Sequence, residues 1–344
     1  MGTEPIMNPC DWIGISCNNF TIAHIKLPNL DIIGSIPSSI GILTDLLSLD
    51  LSGNLLNKTI PSSIGLLQSL SFLDISDNQL TSYIPSTVGS LTSLAHLSLR
   101  SNSLHFSIPS TISCLSSTLN YLDLSSNSLK SSIPTSFGLL TDILVLDLHE
   151  NQLSSTLPSS LGYLASIVHL DFSSNSLTSS IPTVIGLLSN LHYLSLEQNF
   201  ISGALPHSIS ALSKLEYLGF YFNFISRSLP SSIGYLTSLK YLSFYENSIT
   251  GPLPTTIGLL SSLTLFDASY NFITSSIPSS IGFLSSLNAI YLQVNALTSS
   301  IPSSISCWTF ITLIAITLLL SLELFRLTAN TFLQAPSPKN SPAE

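Results

Sequence analysis

Leucine and isoleucine return along this chain at a fixed interval, and the polar residues between them return with them. In LSLDLSGNLL, Leu49 and Leu51 alternate with Ser48, Asp50 and Ser52 ahead of Asn54, and Pro61 stands seven residues after that asparagine. The asparagine recurs as Asn78, Asn102, Asn127, Asn151, Asn175, Asn199, Asn223, Asn247, Asn271 and Asn295, a step of 24 residues with a single 25. The proline recurs twelve times from Pro37 to Pro302, always after Ile or Leu, and a glycine follows it by four residues in nine units. Alternating leucines predict a short strand with one buried face, because successive strand side chains point to opposite sides. The proline lacks an N–H and fixes φ, so the return segment should be extended or 3₁₀-like and not a regular long helix. A unit this small cannot bury its own leucines. Stacked units bury one continuous core, with the interior asparagine satisfying loop backbone groups of neighbouring turns.

The period divides the chain. Residues 23–306 hold twelve units, residues 1–22 precede them, and the pattern stops after Pro302. An apolar segment occupies 307–326, and a Pro/Ser-rich tail occupies 327–344. Residues 308–325, WTFITLIAITLLLSLELF, carry one charge, Glu323, and reach the lower length limit for a transmembrane helix. The same region also reads as a disrupted last repeat capping the core, since FRLTANTF places Asn330 in the repeat frame, 35 residues after Asn295. Both readings stand at this point.

Charged residues make up only 8% of the chain, and the net charge is −9. The nine Lys and Arg are scattered, which leaves no footprint for phosphate neutralisation and argues against a nucleic-acid partner. No nucleophile elbow, phosphate-binding glycine loop, H-E-x-x-H or kinase signature is present, so neither catalysis nor a cofactor is expected.

Units such as LTSLKYLSFYENSITGPLPTTIGLLSSL, residues 236–263, resemble plant-type leucine-rich repeats, and PCDWIGISC, residues 9–17, resembles the paired-cysteine amino-terminal cap of that family. The resemblance covers about residues 9–306. It implies an α/β-type repeat solenoid, a leucine-rich repeat arc whose concave face is a parallel sheet with one short strand per 24-residue repeat. The family's glycine three residues before the proline is kept only at Gly34, Gly203 and Gly251, with Ser in most other units. The resemblance further implies a disulfide between Cys10 and Cys17 closing a loop around Trp12 over the end of the first repeat, with free thiols as the alternative. A zinc site would need two further ligands. Cys114 and Cys307 share a frame position eight repeats apart, too far to bridge, and are expected as buried substitutes for Leu or Ile. A cap disulfide implies an oxidising compartment, and two glycosylation sequons, at Asn19 and Asn57, are compatible with secretion. MGTEPIMNP has no signal-peptide features, so the chain is expected to start downstream of its natural beginning or to have a misassigned start.

Stacked strands align their solvent-facing residues into columns on the concave face. Aromatic residues gather there toward the carboxy-terminal half, and Tyr193, Tyr217, Tyr221, Phe222, Tyr241, Tyr245 and Tyr270, with Glu197 and Glu246, form the candidate ligand-binding patch. Large amphipathic side chains give much contact area for little rotamer entropy. The competing reading is that the tyrosines only stack along the sheet. A column of aspartates, Asp50, Asp74, Asp123, Asp147, Asp171 and Asp267, reads as structural, and His149, Glu150 and His169 lack an evident third metal ligand, so no metal is expected. The resemblance implies non-catalytic recognition of a peptide, glycan or protein on the concave face of a cell-surface receptor-like protein, signalling through a kinase-bearing co-receptor. The alternatives are a secreted inhibitor of a wall-degrading enzyme and a structural surface protein.

Overall fold

The structure is a computed structural model that describes residues 8–298 and 301–307. The alternating leucines form the strands they predict: one three-residue strand per repeat from Ser48–Asp50 to Ala289–Tyr291, paired in parallel in unbroken sequence order. Two longer strands, β1 (Ile15–Asn18) and β2 (Thr21–Lys26), begin this thirteen-stranded sheet, and β1 alone runs antiparallel. Leu97, Leu122, Leu146, Leu170, Leu194, Leu218 and Leu242, the middle residues of successive strands, are fully buried.

Each interior asparagine ties two repeats together. Asn199 Oδ1 accepts the Leu177 N–H at 2.9 Å, and its Nδ2 donates to Phe172 O of the preceding repeat at 2.9 Å and to Glu197 O of its own at 3.0 Å. The residue just before each asparagine turns left-handed, with φ near +50° at Asp77, Ser101, Ser126, Glu150, Ser174, Gln198, Phe222, Glu246 and Tyr270. Beyond the asparagine the chain forms a second, twelve-stranded sheet, from Ile33–Gly34 to Ala296–Leu297, which the hydrophobic alternation did not disclose. Most of these strands end on a second left-handed residue, three positions before the proline: Lys58, Ser82, Phe106, Ser131, Ser155, Ser179, Arg227 and Ser275 have φ between 66° and 75° there, beside Gly203 and Gly251 at 79° and 74°. The family's glycine position is therefore a left-handed turn that this chain fills more often with serine than with any other residue.

The helical side is 3₁₀ throughout the described residues, as the proline requires. Twelve segments, Ser38–Ile42 to Ser303–Cys307, each start directly after a proline. The glycine four residues after the proline lets consecutive 3₁₀ turns nest: a Cβ on Gly138 would lie 2.4 Å from Ser160 O. The nesting brings a Ser or Thr hydroxyl to the carbonyl of the preceding turn, at 2.7 Å for Thr87 to Ser62 O and 2.6 Å for Ser160 to Thr135 O. Where Ser113 and Ser210 replace the glycine, the matching bonds, Ser136 to Ser110 O and Ser232 to His207 O, lengthen to 3.2 Å. The single 25-residue step is absorbed in the segment Ser110–Leu115, one residue longer than its neighbours.

At the amino end Cys10 and Cys17 form the expected disulfide. Trp12 does not cover the core end as expected. It is half exposed, and Ile15, Ile22 and Leu27 pack there instead, because β1 lies along the edge of β2 and brings its own apolar face to the core. Cys114 is exposed, not buried. Its frame position, five residues after the proline, faces solvent on the 3₁₀ turns, as Ile42, Leu66, Leu139, Tyr163, Leu187, Tyr235 and Phe283 also do. Residues 308–325, where the membrane-helix and capping readings fall, and the tail lie outside the described residues. Among the described residues no helix is long and apolar enough to cross a membrane.

Candidate functional site

The last residue of each concave strand and the residue two positions on define a local unit. In five of the eleven repeats from Ser48–Asp50 to Ala289–Tyr291 that unit is an aspartate followed by a serine, and in two isolated repeats Ser98 with Arg100 and Tyr291 with Gln293 stand there instead. Asp171 Oδ1 accepts both the backbone N–H and the hydroxyl of Ser173, at 2.9 and 2.7 Å, and the same pair of bonds joins Asp50 to Ser52, Asp74 to Ser76, Asp123 to Ser125 and Asp267 to Ser269. At Asp147 the partner is His149, whose backbone N–H and Nδ1 take the serine's place. The aspartate column is thus a set of turn braces, as the structural reading expects.

Three consecutive repeats abandon the brace. Ser195, Gly219 and Ser243 stand where the aspartate would, and Glu197, Tyr221 and Tyr245 stand where the serine would. The hydroxyls of Ser195 and Ser243 are buried and brace no turn; they lie against the Tyr193 and Tyr241 phenols and, at Ser195, the Glu197 carboxyl. Glu197, 7% exposed, lies over Gly219, where a Cβ would overlap its Oε1, and that oxygen accepts the Tyr217 hydroxyl at 2.5 Å. Burial raises the Glu197 carboxyl above its ordinary range. Burial and the Glu197 carboxylate together push the Tyr217 and Tyr221 phenols up, so both stay protonated as donors.

The tyrosines of the neighbouring column stack on one another. His169, Tyr193, Tyr217 and Tyr241 form a continuous ladder with ring centroids 4.2–4.3 Å apart and planes within 15° of parallel. Tyr221 and Tyr245 stack at 4.7 Å, with Phe222 set edge-on to both. The predicted patch therefore divides. Tyr193, Tyr217, Tyr221, Phe222, Tyr241, Tyr245 and Glu197 come together, while Glu246 and Tyr270 occupy the left-handed turn of the next two repeats, the position Phe222 holds in its own. A shorter ladder, Phe72, His96 and Tyr121, runs nearer the amino end. Burial lowers the pKa of His96 there, and burial with Asp123 raises Tyr121 to about 12. Gly219, Ser195 and Ser243 were missed in the sequence, although the broken aspartate column was the signal that marks them.

The histidine group also differs from expectation. His149 meets Asp147 at 2.7 Å with Asp171 beside them, all three ligand atoms lying within 4.8 Å of one another. Glu150 turns away to accept the Ser126 hydroxyl, and His169 stacks on Tyr193. The bond to Asp147 raises the His149 pKa. At the sequons, Asn19 sits in the exposed turn joining β1 to β2, and Asn57 lies half-exposed in the second sheet.

Comparison with known proteins agrees with this architecture. The leucine-rich repeat family profiles match residues 117–177 and, as single repeats, 45–67, 69–91, 190–212 and 238–260. A probable LRR receptor-like serine/threonine-protein kinase of Arabidopsis thaliana is 52% identical over 44 residues, which span 12% of this chain and only 6% of the kinase. Among solved structures, the PEPR1–AtPEP1 complex aligns at TM-score 0.84 and 32% identity over 87% of this chain and 42% of that one. The Arabidopsis receptor kinase HAESA, in complex with the peptide hormone IDA and the co-receptor SERK1, aligns at 0.67 and 30% over 87% of this chain and 63% of that one. An LRR protein of Leptospira interrogans aligns at 0.69 and 35%, covering 82% of this chain and 68% of that one. On its repeat frame, its two-sheet solenoid and these relatives, the chain belongs to the leucine-rich repeat family, with repeats of the plant type.

Proposed function

We propose that the concave face between residues 193 and 245 binds an extracellular peptide or protein ligand, and that the chain acts as a non-catalytic, receptor-like recognition domain working with a kinase-bearing co-receptor. The observation that carries this reading is the loss of the aspartate–serine brace in three successive repeats in favour of Glu197, Tyr221 and Tyr245. Single repeats depart from the pair elsewhere, at Ser98 with Arg100 and at Tyr291 with Gln293, but only here do three successive repeats replace it, and all three put large amphipathic side chains where the serine would stand. The HAESA complex supports the ligand class, since that related domain is bound to a peptide hormone and a co-receptor. The Cys10–Cys17 disulfide supports an oxidising, cell-surface setting, in which Asn19 and Asn57 would carry glycans. Screening the chain against arrayed extracellular peptides tests the reading. Tyr217→Ala with Tyr241→Ala should abolish the selected interactions while leaving the melting temperature within a few degrees of wild type, and unchanged binding by the pair variant would refute the site.

A further inference from the structure

Every ligand that reaches the Tyr193–Tyr245 surface meets the same chemistry. The ring faces of Tyr193 and Tyr217 are covered by their stacked neighbours, which leaves edges and phenol oxygens outward. The phenol protons are turned inward: Tyr217 donates to Glu197 Oε1 at 2.5 Å, and Tyr193 donates toward Asp171 Oδ2 at 3.4 Å. A phenol whose proton is spent on a carboxylate presents only lone pairs to an incoming group.

The charge on this face has one sign. The concave columns hold six aspartates and Glu197, against Lys26 and Arg100. Arg100 lies four repeats from Glu197, about 19 Å at the usual strand spacing, which is beyond a Debye length at physiological salt. Lys240, nearer in sequence, is held by Glu216 at 2.6 Å. Glu197 is therefore a buried carboxylate whose hydrogen-bond donors are neutral hydroxyls, with no cation beside it among the described residues. Such a group is costly to bury alone and is stabilised by a cation that arrives with its own donors. Gly219 is the enabling substitution, because any larger residue there would displace the Glu197 carboxylate.

We infer that Glu197, Tyr217 and Tyr221 form a subsite for a guanidinium or ammonium group of the peptide ligand, seated against the phenol oxygens and the Glu197 carboxylate that Gly219 leaves room for. This rests on the reading of the concave face as a peptide-binding surface and names what that surface selects. An acidic side chain would meet acceptors and a negative field. A sugar ring would find its preferred stacking faces covered. A basic side chain satisfies the phenol oxygens and Glu197 together, by hydrogen bonds and charge and not by contact with the covered ring faces.

The test uses an array of random decapeptides probed with the full chain in four forms: wild type, Glu197→Gln, Gly219→Ala, and Tyr217→Ala with Tyr241→Ala. Glutamine keeps the shape of Glu197 and removes its charge, and circular dichroism melting confirms that each variant is folded. Wild-type hits should be enriched in Arg and Lys, should weaken as salt rises, and should lose at least tenfold in apparent affinity with Glu197→Gln. Gly219→Ala should weaken the same peptides although it removes no charge, since it moves the carboxylate. Wild-type hits without basic enrichment, or basic hits that Glu197→Gln leaves unchanged, would overturn the cation subsite while leaving the peptide-binding face intact if the tyrosine pair variant still abolishes them. No hit on any form would overturn the peptide-binding reading and this inference with it.

Discussion

Five serines, Ser82, Ser131, Ser155, Ser179 and Ser275, hold φ between 67° and 75° at the left-handed end of a second-sheet strand, with side chains exposed or half-exposed. An L-residue in that region costs roughly 1–2 kcal/mol, because its Cβ crowds the following carbonyl oxygen. Glycine removes the crowding and gives back about 0.5–1 kcal/mol through its freer unfolded chain. Each Ser→Gly change should thus stabilise by about 0.5–1 kcal/mol, and the five together by about 2–5 kcal/mol if distant sites add. The opposite change should cost a similar amount at Gly203 and Gly251, where a new Cβ would also come within 3.1 Å of Ser180 Cβ and Ser228 Cβ. Urea titration followed by circular dichroism measures both, and the five-fold variant should raise the midpoint by on the order of 1 M. A midpoint that stays put or falls in the five-fold variant, with Gly203→Ser neutral, would refute the claim that these turns carry conformational strain.

Gly138→Ala should destabilise by about 1–3 kcal/mol, since its Cβ would meet the Ser160 carbonyl and separate two nested 3₁₀ turns, whereas Ser113→Gly should be neutral or stabilising; thermal melting of the two variants gives the comparison. Asn199→Leu strips the buried Leu177 N–H of its partner, while the Phe172 carbonyl keeps Asn175 Nδ2, and should cost about 1–3 kcal/mol, with amide exchange at Leu177 accelerating first. His149 has a pKa raised above 6.5, so its bond to Asp147 contributes stability that is full below 6.5 and lost as pH rises through the folded value. His149→Gln should therefore lower the melting temperature at pH 5.5 and change it little at pH 8.5. For Glu197 burial raises the pKa above 4.5, which makes its ionised form the costly one. Glu197→Gln should accordingly gain stability relative to wild type at pH 7, with the gain shrinking as pH falls toward 4.5.

The repeat frame was legible because each of its positions answers to one strong constraint. Leu194 must be buried, Asn199 must satisfy two turns, and Pro206 must end the second-sheet strand and open a 3₁₀ turn. The second sheet was not legible, since its strands, such as Ser176–Ser179 and Phe224–Arg227, mix hydroxyl-bearing, charged and exposed aromatic residues around a single buried Leu or Ile. Backbone pairing between repeats holds them, and backbone pairing leaves little trace in side-chain pattern. Cys114 was misplaced for a related reason. Large apolar residues recur at its frame position, and composition alone cannot tell a buried column from an exposed one when both repeat every 24 residues.

In a solenoid the neighbours of any residue are its own counterparts one repeat away, so a position that departs from its column departs from a local structural standard. Tyrosine ladders alone do not meet that test. Tyr193, Tyr217 and Tyr241 stack as Phe72, His96 and Tyr121 do, and stacking on a parallel sheet accounts for both. What separates the two regions is the layer beneath. Under Phe72 and Tyr121 the Asp74–Ser76 and Asp123–Ser125 braces are intact and only Ser98 under His96 interrupts them, whereas under Tyr193, Tyr217 and Tyr241 three successive braces have given way to Ser195, Gly219 and Ser243, with a buried glutamate that points at phenol oxygens and not at its own turn. Abandoning a brace weakens the turn it served, and an isolated buried carboxylate adds a desolvation cost. Both costs fall on the same few residues, so the Glu197 floor, more than the aromatic rim above it, is the part of the concave face that turn geometry does not account for and on which the proposed ligand site turns.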